Sequence, residues 1–323
     1  MAVLEVNNLR TVLHLPIGAV PVVNNVSFQL HAGETLGIVG ESGCGKSMLA
    51  LSLLGLQPNP PAEIAGGSAI FEGANLLDMH PGKLRNVRGR RIGMIFQDPL
   101  AALNPVMKVG DQIAEVLRRH LGSSRRAALR RAVELLELVR IPDPDRRAGE
   151  YPFQLSGGLR QRVMIAMALA CDPAVLIADE PTTALDVTIQ RQILELVRDL
   201  QRERGLAVLH ITHDLGLIAE HADRVVVMYC GRIVEQAATG RILQESQHPY
   251  TCGLLSCAPT LGLNRNLRLS EIPGTVPPLD QTPPGCSFEP RCNRSIAVCR
   301  TTVPKLTPHR DRHDLACHNP SVA

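Results

Sequence analysis

The stretch Gly40-Glu-Ser-Gly-Cys-Gly-Lys46-Ser47 decides the fold class, because it matches the phosphate-binding pattern G-x-x-x-x-G-K-[ST]. The apolar run Thr35 to Val39 predicts a buried strand before it, and Met48 to Leu54 predicts a helix after it. Glycines let successive backbone N–H groups turn towards one anion. We therefore expect Lys46 to contact the β- and γ-phosphates of a nucleotide and Ser47 to ligate Mg²⁺. The predicted nucleotide contacts are Gly40, Glu41, Ser42, Gly43, Cys44, Gly45, Lys46 and Ser47.

This loop alone indicates phosphate binding, which GTPases, kinases and many ATPases share. Other motifs are needed to distinguish these classes of protein. The run Ala174-Val-Leu-Ile-Ala-Asp179-Glu180 predicts a buried strand that ends in two carboxylates. Ligands of open α/β sheets bind at the carboxyl ends of the strands. Asp179 is therefore predicted to hold Mg²⁺, and Glu180 to orient and polarise the attacking water.

A histidine follows another predicted strand of the same kind. The strand Leu206 to Ile211 leads to His213, and its end is expected at the same edge of the sheet as Asp179. An imidazole in that place can donate a hydrogen bond to the γ-phosphate. His210, inside the strand, is predicted to be an ordinary packed residue.

Composition and charge restrict the class of protein. The chain has 323 residues and a net charge of +3, from 34 Lys and Arg against 31 Asp and Glu, which gives no global argument for nucleic-acid binding. No stretch approaches the roughly 20 apolar residues that cross a bilayer, and the N-terminus lacks the pattern of a signal peptide. We expect a cytoplasmic protein whose membrane association comes through partners, with cysteines that are not disulfide-bonded.

The character of the chain changes beyond about residue 245, where prolines crowd a short segment that is predicted to be extended or turning. We predict a nucleotide-binding domain over 1–240, with a helical part at about 100–170, and a small appended module over 241–323.

The order of the motifs resembles the ATP-binding-cassette (ABC) family over 30–235. Leu155-Ser156-Gly157-Gly158 is similar to the family signature, with Gln97 upstream and Ala184-Leu-Asp186 downstream. The resemblance implies an α/β P-loop NTPase fold, the ABC nucleotide-binding domain, with a RecA-like core, an antiparallel β subdomain and an α-helical subdomain. It also implies a magnesium-dependent ATPase.

The resemblance further implies individual roles. Gln97 would sense Mg²⁺ and nucleotide and contact a transmembrane partner, His213 would be the switch histidine, and Asp186 a dimer contact. The turn Ser156, Gly157 and Gly158 would close on the γ-phosphate of ATP held by the opposite subunit. Since the chain has one set of motifs, a complete site implies pairing with itself or with a related cassette.

One family element is missing, because no aromatic residue stands near Val20 to Val22, where the adenine-stacking side chain is usual. Phe28, the nearest aromatic residue, is typical of a strand core and is therefore not expected to stack on adenine. An apolar clamp is the alternative for the adenine contact.

Several phrases resemble the dipeptide and oligopeptide importer subfamily more closely, among them Met94-Ile-Phe-Gln-Asp-Pro-Leu100, His248-Pro-Tyr-Thr251 and Ile272-Pro-Gly-Thr-Val-Pro277. This resemblance implies peptide uptake with two permease subunits and an extracytoplasmic substrate-binding protein, and a peripheral place on the cytoplasmic face of the inner membrane. The same ATPase role for nickel, an opine or another small solute stays open. Less favoured readings are an exporter cassette and a soluble ABC ATPase that acts on DNA, ribosomes or cluster assembly.

Four tail cysteines, spaced Cys-x₅-Cys-x₆-Cys-x₁₇-Cys, form a candidate metal centre. Four thiolates suit either a [4Fe–4S] cluster or tetrahedral Zn²⁺. The similar cysteine-bearing tails of the subfamily imply the cluster, and four unligated thiols are the remaining alternative. The residues are Cys286, Cys292, Cys299 and Cys317.

Overall fold

The computed structural model describes residues 2–182, 186–257, 271–310 and 312–321, which fall into two compact units. The phosphate-loop unit comprises residues 2–30 and 35–78 and the chain from 210 onward. The helical unit comprises residues 31–34 and 79–209. The predicted boundary at 240 and the helical part at 100–170 stay predictions, and residues on both sides of 240 belong to the phosphate-loop unit.

Strands and helices are interspersed along the chain, with five consecutive helices, α3 to α7, between β6 and β7. In chain order the strands are β1 (Ala2–Leu15), β2 (Gly18–His31), β3 (Thr35–Val39), β4 (Ala62–Phe71), β5 (Ala74–Asn75), β6 (Ile92–Ile95), β7 (Val175–Asp179), β8 (Ala207–Thr212), β9 (Arg224–Tyr229), β10 (Arg232–Ala238), β11 (Thr307–Arg310) and β12 (His313–Leu315). The helices are α1 (Lys46–Leu53), α2 (Pro81–Val87), α3 (Pro99–Ala102), α4 (Val109–Leu121), α5 (Arg125–Leu138), α6 (Pro144–Ala148), α7 (Gly157–Leu169), α8 (Val187–Arg204), α9 (Leu215–His221), α10 (Thr239–Glu245) and α11 (Pro249–Cys257).

The phosphate-loop unit contains two groups of strands. One is an antiparallel sheet of order β2-β1-β4-β5, and the other has the order β11-β12-β10-β9-β3. Strands β3 and β9 are parallel, with Ile38 opposite Val226, and every residue of β3 is buried. Such a continuous apolar run is typical of a parallel strand that is covered on both faces. The sequence prediction for Thr35 to Val39 is therefore confirmed.

The helical unit is built around strands in the order β8-β7-β6, and the boundary between the units falls within β8, after Leu209. Strand β7 is buried throughout and runs parallel to β6, with Ile95 opposite Ala178. Ser156 caps α7 by accepting a hydrogen bond from Leu159 N, at 3.4 Å. These elements place Gln97 and Glu180 just past the ends of two neighbouring strands.

The tail joins the phosphate-loop unit through β12, which pairs antiparallel with β10 and places Ala237 opposite His313. The proline-crowded segment forms short 3-10 turns, such as Glu289–Arg291 and Ala297–Arg300, and no α-helix within the described residues from 271 onward. Proline removes a backbone donor, which accounts for the irregular path. Among the described residues, no helix combines the length and the apolar character that a bilayer crossing requires.

Candidate functional site

The phosphate loop connects β3 to α1, in the order that the sequence predicts. Gly45 caps α1 with a φ of 97°, and a Cβ at Gly45 would collide with the carbonyl oxygen of Val22. A Cβ at Gly40 would collide with the carbonyl oxygen of Met228. Both positions therefore require glycine, because neighbouring backbone approaches too closely for any side chain.

Lys46 is 4% exposed, and its ammonium group makes hydrogen bonds back to the loop. Its Nζ donates to the carbonyl oxygen of Gly40 at 2.7 Å and to that of Glu41 at 3.1 Å. Ser47 follows in the first turn of α1, where the backbone N–H groups of a helix start favour an anion. Cys44 is buried, and this burial raises the pKa of its thiol, so the side chain is a neutral packing group.

The two carboxylates that the sequence analysis assigns to magnesium and to the attacking water lie in the helical unit, at the end of β7. Asp179 is 5% exposed and Glu180 is 8% exposed. Gln97 Nε2 donates to Glu180 Oε2 at 3.1 Å. Each partner stands two residues beyond the paired residues Ile95 and Ala178, so the parallel register of β6 and β7 brings them together. The arrangement holds a carboxylate in a fixed place, as a group that polarises water requires.

The Ser-Gly-Gly turn also belongs to the helical unit and begins α7. Ser156 and Gly157 are exposed, whereas a Cβ at Gly158 would lie 2.9 Å from Ile189 Cγ2. Below the turn, Arg160 Nε donates to the carbonyl oxygen of Pro152 at 2.7 Å. The turn thus presents a hydroxyl and helix-start N–H groups to solvent, which are suitable donors for a phosphate.

The two histidines of the β8 region differ in their surroundings. His213 is exposed and follows the end of β8, next to Asp214, which caps α9. His210 is buried within the strand, and burial, with a smaller contribution from His221, lowers its pKa to about 4. His210 is therefore a neutral core residue, as the sequence predicts.

Two other predictions concern residues around the site. Val20, Val22 and Phe28 are all buried, so Phe28 is a core residue, and the two valines offer little surface for an apolar clamp on adenine. Asp186 caps α8 by accepting from Ile189 N at 2.9 Å. Of the phrase 184–186, positions 184 and 185 lie outside the described residues.

The four tail cysteines belong to the phosphate-loop unit and are free thiols. Burial raises the pKa of Cys286 and of Cys317 to about 11, and neighbouring tail thiols add to both shifts. Cys286 N donates to the carbonyl oxygen of Cys299 at 2.7 Å. Within the described ranges, however, no group of three or more His, Cys, Asp or Glu side chains is placed to hold a metal ion. The structure therefore does not support the predicted iron–sulfur cluster.

Sequence reasoning misses two tail residues that contact the phosphate loop. Tyr250 Oη accepts a hydrogen bond from Glu41 N at 2.8 Å, and Arg291 forms an ion pair with the Glu41 carboxylate at 2.7 Å. The phrase His248-Pro-Tyr-Thr251 is visible in the sequence, but nothing local relates it to a loop 209 residues earlier.

Comparisons with known proteins decide the family. Residues 23–183 match the family model of the ABC transporter, and residues 234–299 match that of the oligopeptide/dipeptide transporter C-terminal region. The dipeptide transport ATP-binding protein DppD of Bacillus subtilis is 49% identical over 315 residues, which cover 98% of this chain and 94% of that protein. The chain belongs to the ATP-binding subunits of ABC transporters.

This ABC ATP-binding subunit is also 49% identical to the oligopeptide transport ATP-binding protein OppD of Bacillus subtilis, over 96% of the chain and 87% of OppD. Among solved structures, the dimeric ATP-binding cassette MJ0796 in a post-hydrolysis state with ADP and Pi matches with a TM-score of 0.66. The identity is 27%, over 73% of this chain and 98% of that one. The predicted family and P-loop NTPase fold class are confirmed, and the subunit is an ATPase coupled to transport.

Proposed function

We propose that this ABC subunit hydrolyses ATP to power the uptake of di- or oligopeptides across the cytoplasmic membrane. The observation that carries the proposal is the tail, since residues 234–299 match the C-terminal region of oligopeptide and dipeptide transporters. DppD and OppD, which are similar over nearly the whole chain, bear the names of dipeptide and oligopeptide transport proteins. In this proposal the subunit lies on the cytoplasmic face of the membrane and works with two permeases, a second ATP-binding subunit and an extracytoplasmic substrate-binding protein.

The described residues divide the chemistry among them. The loop 40–47 binds the phosphates, and Lys46 leaves its carbonyl partners to donate to the β- and γ-phosphates. Glu180 accepts a proton from the attacking water, and the hydrogen bond that Gln97 donates holds its carboxylate in a fixed orientation. His213 donates to the γ-phosphate. The exposed turn at Ser156, Gly157 and Gly158 donates to the phosphate held by the facing subunit, so two chains are needed for one complete site.

The side chains assigned to magnesium fit that ion by their donor type. Ser47 offers a hydroxyl, Asp179 a carboxylate and Gln97 an amide oxygen, and hard divalent cations prefer oxygen ligands. The amide nitrogen of Gln97 is engaged with Glu180, so its oxygen is the atom that would serve the ion. Magnesium bound there would neutralise charge that develops on the phosphates.

Reconstitution with the permeases and the binding protein tests this function. We expect ATP-driven accumulation of a radiolabelled dipeptide in proteoliposomes, and loss of it when Lys46→Ala is used. Losing one charge-assisted contact to phosphate should weaken ATP binding by about tenfold to a hundredfold. The exposed Lys83→Ala is the matched control and should transport normally. Accumulation of nickel or an opine in place of peptide would contradict the substrate, and full transport by Lys46→Ala would contradict the phosphate site.

We further propose that the tail binds a [4Fe–4S] cluster, with Zn²⁺ as the alternative. The support is chemical: four free thiols lie in one module, and the charge of the Cys286, Cys292 and Cys299 thiolates raises the pKa of Cys317 beyond the effect of burial. Thiolates that repel one another are stabilised by a bound cation. Because the thiols do not converge as placed, binding would require their side chains to turn towards one centre.

Anaerobic purification of the full chain tests the cluster. We expect brown protein with broad visible absorbance and about four iron atoms per chain. Cys292→Ser should lose the colour, whereas Cys257→Ser, outside the set of four, should retain it. Colourless protein with stoichiometric zinc would contradict the iron assignment, and protein without metal would contradict any metal centre.

A further inference from the structure

Glu41, the second residue of the phosphate loop, makes hydrogen bonds through its backbone N–H, its carbonyl oxygen and its carboxylate. Its backbone N–H donates to Tyr250 Oη at 2.8 Å, and its carbonyl oxygen accepts from Lys46 Nζ at 3.1 Å. Its carboxylate accepts two hydrogen bonds from Arg291, at 2.7 Å from Nη1 and 3.0 Å from Nη2. Two of these three attachments come from the tail, 209 and 250 residues further along the chain.

The Arg291 side chain is itself firmly fixed and is only 4% exposed. Its Nε donates to the carbonyl oxygen of Pro273 at 2.9 Å. Its Cζ lies 5.9 Å from the ring centroids of both Tyr229 and Phe288. Burial alone would lower the pKa of Arg291, but the hydrogen bonds to Glu41 and Tyr229 outweigh it, and the pKa is raised. The guanidinium is therefore a permanent charge in a planar, two-bond fork.

An aromatic cluster supports this fork. The chain has only three tyrosines, five phenylalanines and no tryptophan, yet two tyrosines and one phenylalanine meet here. The Tyr229 ring lies 4.7 Å from that of Tyr250 and 5.3 Å from that of Phe288. Aromatic residues are scarce in the chain, so their concentration beside the loop marks this contact as a built interface between the tail and the loop.

The ion pair has an electrostatic consequence for the nucleotide. A triphosphate carries several negative charges, and a carboxylate on its binding loop repels it. The Glu41 side chain is 30% exposed, so solvent screens this repulsion incompletely. The two hydrogen bonds from Arg291 neutralise the Glu41 carboxylate and hold it in one orientation. Without Arg291, the phosphate-binding loop would carry an uncompensated negative side chain.

We propose that Arg291 is a positioning residue for the phosphate loop: by neutralising and fixing Glu41, it makes ATP affinity depend on the docked tail. The inference rests on the proposed role of the loop 40–47 in ATP binding. The tail is then a part of the ATP site that acts through the loop, in addition to any role in assembly or cluster binding.

Equilibrium binding of a non-hydrolysable ATP analogue with Mg²⁺ to the full-length chain tests the proposal. Arg291→Ala should weaken binding by about tenfold or more, because an uncompensated negative charge is left on the phosphate loop. Adding Glu41→Gln to Arg291→Ala should restore affinity to within about threefold of the native chain, since the uncompensated charge is gone. Arg300→Ala removes a tail arginine that pairs with Glu289 and not with the loop, and it should bind as the native chain does.

The rescue separates charge compensation from simple anchoring of the tail. If Arg291 only tethers the tail, the double variant also lacks the tether and binds no better than Arg291→Ala, which would overturn the proposal. Unchanged affinity of Arg291→Ala would overturn it as well. Circular dichroism and thermal unfolding check the fold of each variant. Should Arg291→Ala fail to fold, Arg291→Gln and Arg291→Lys replace it, with weak binding expected for the first and near-native binding for the second.

Lys46→Ala, measured in parallel, distinguishes a failure of the role of Arg291 from a failure of the ATP-site assignment. Loss of binding in Lys46→Ala together with unchanged binding in Arg291→Ala would leave the ATP site intact and refute only the role of Arg291. Native binding by Lys46→Ala would instead refute the assignment of the loop itself.

Discussion

Replacing Glu180 with glutamine is expected to lower ATP turnover by about two to four orders of magnitude while ATP binding persists, which is the range for loss of a general base. Glutamine has nearly the same shape as glutamate and can still pair with Gln97, so the local structure should remain. Its amide cannot accept a proton from water at neutral pH. The variant should therefore trap ATP between two subunits that close but do not reopen.

The measurement is phosphate release by the chain assembled with its permeases, together with retention of radiolabelled ATP after rapid gel filtration. Glu195→Gln is the matched control, because Glu195 is an exposed residue of α8 in the same unit. Control turnover should equal that of the native complex. Rapid hydrolysis by Glu180→Gln would remove Glu180 from the catalytic role and leave Asp179 or another group to be tested.

The parts of the site that the sequence predicts are those that local patterns encode. The run Thr35 to Val39 forms a strand because it is a continuous apolar stretch. The glycine-rich turn after it is suited to binding a phosphate. The contact between Gln97 and Glu180 is visible only in the structure: parallel pairing of β6 with β7 places both residues two positions past the paired residues Ile95 and Ala178.

The contacts of the tail could not be predicted in this way. Nothing in the phrase around Arg291 indicates a partner 250 residues away, because an ion pair between distant segments leaves no periodic signal. The pairing of β12 with β10 escapes prediction for the same reason, since three residues, His313–Leu315, are too few for a recognisable alternation. Cysteine spacing gave four candidate ligands, but spacing does not determine whether four thiols converge.

A second large effect is expected at Glu235 of β10, whose side chain is fully buried. Its carboxylate accepts from Gln247 N at 2.7 Å and from His248 N at 3.2 Å. His313 Nε2 lies 2.8 Å from Oε1, within hydrogen-bond distance. One side chain thus joins β10 to β12 and to the segment that leads into α11.

Glu235→Ala should lower the free energy of unfolding by about 3–5 kcal/mol, because three buried hydrogen-bond partners would be left unsatisfied. Both the backbone donors and His313 would lose their hydrogen-bond partner in a place that water does not reach. Denaturant titration of the full chain measures the change, with Gln236→Ala as control. Gln236 pairs with Asp314 on the opposite face of the same strand, in a half-buried position, so its loss should cost about 1 kcal/mol.

A loss below about 1 kcal/mol in Glu235→Ala would show that the hydrogen bonds of Glu235 contribute little to holding the tail. The variant also bears on the role of Arg291, because Tyr250 follows the His248 backbone that Glu235 holds. If the tail transmits order to the phosphate loop, Glu235→Ala should weaken ATP binding in the same direction as Arg291→Ala. The Glu41→Gln substitution should not rescue it, because in this variant the misplaced group is the tail backbone and not an uncompensated charge.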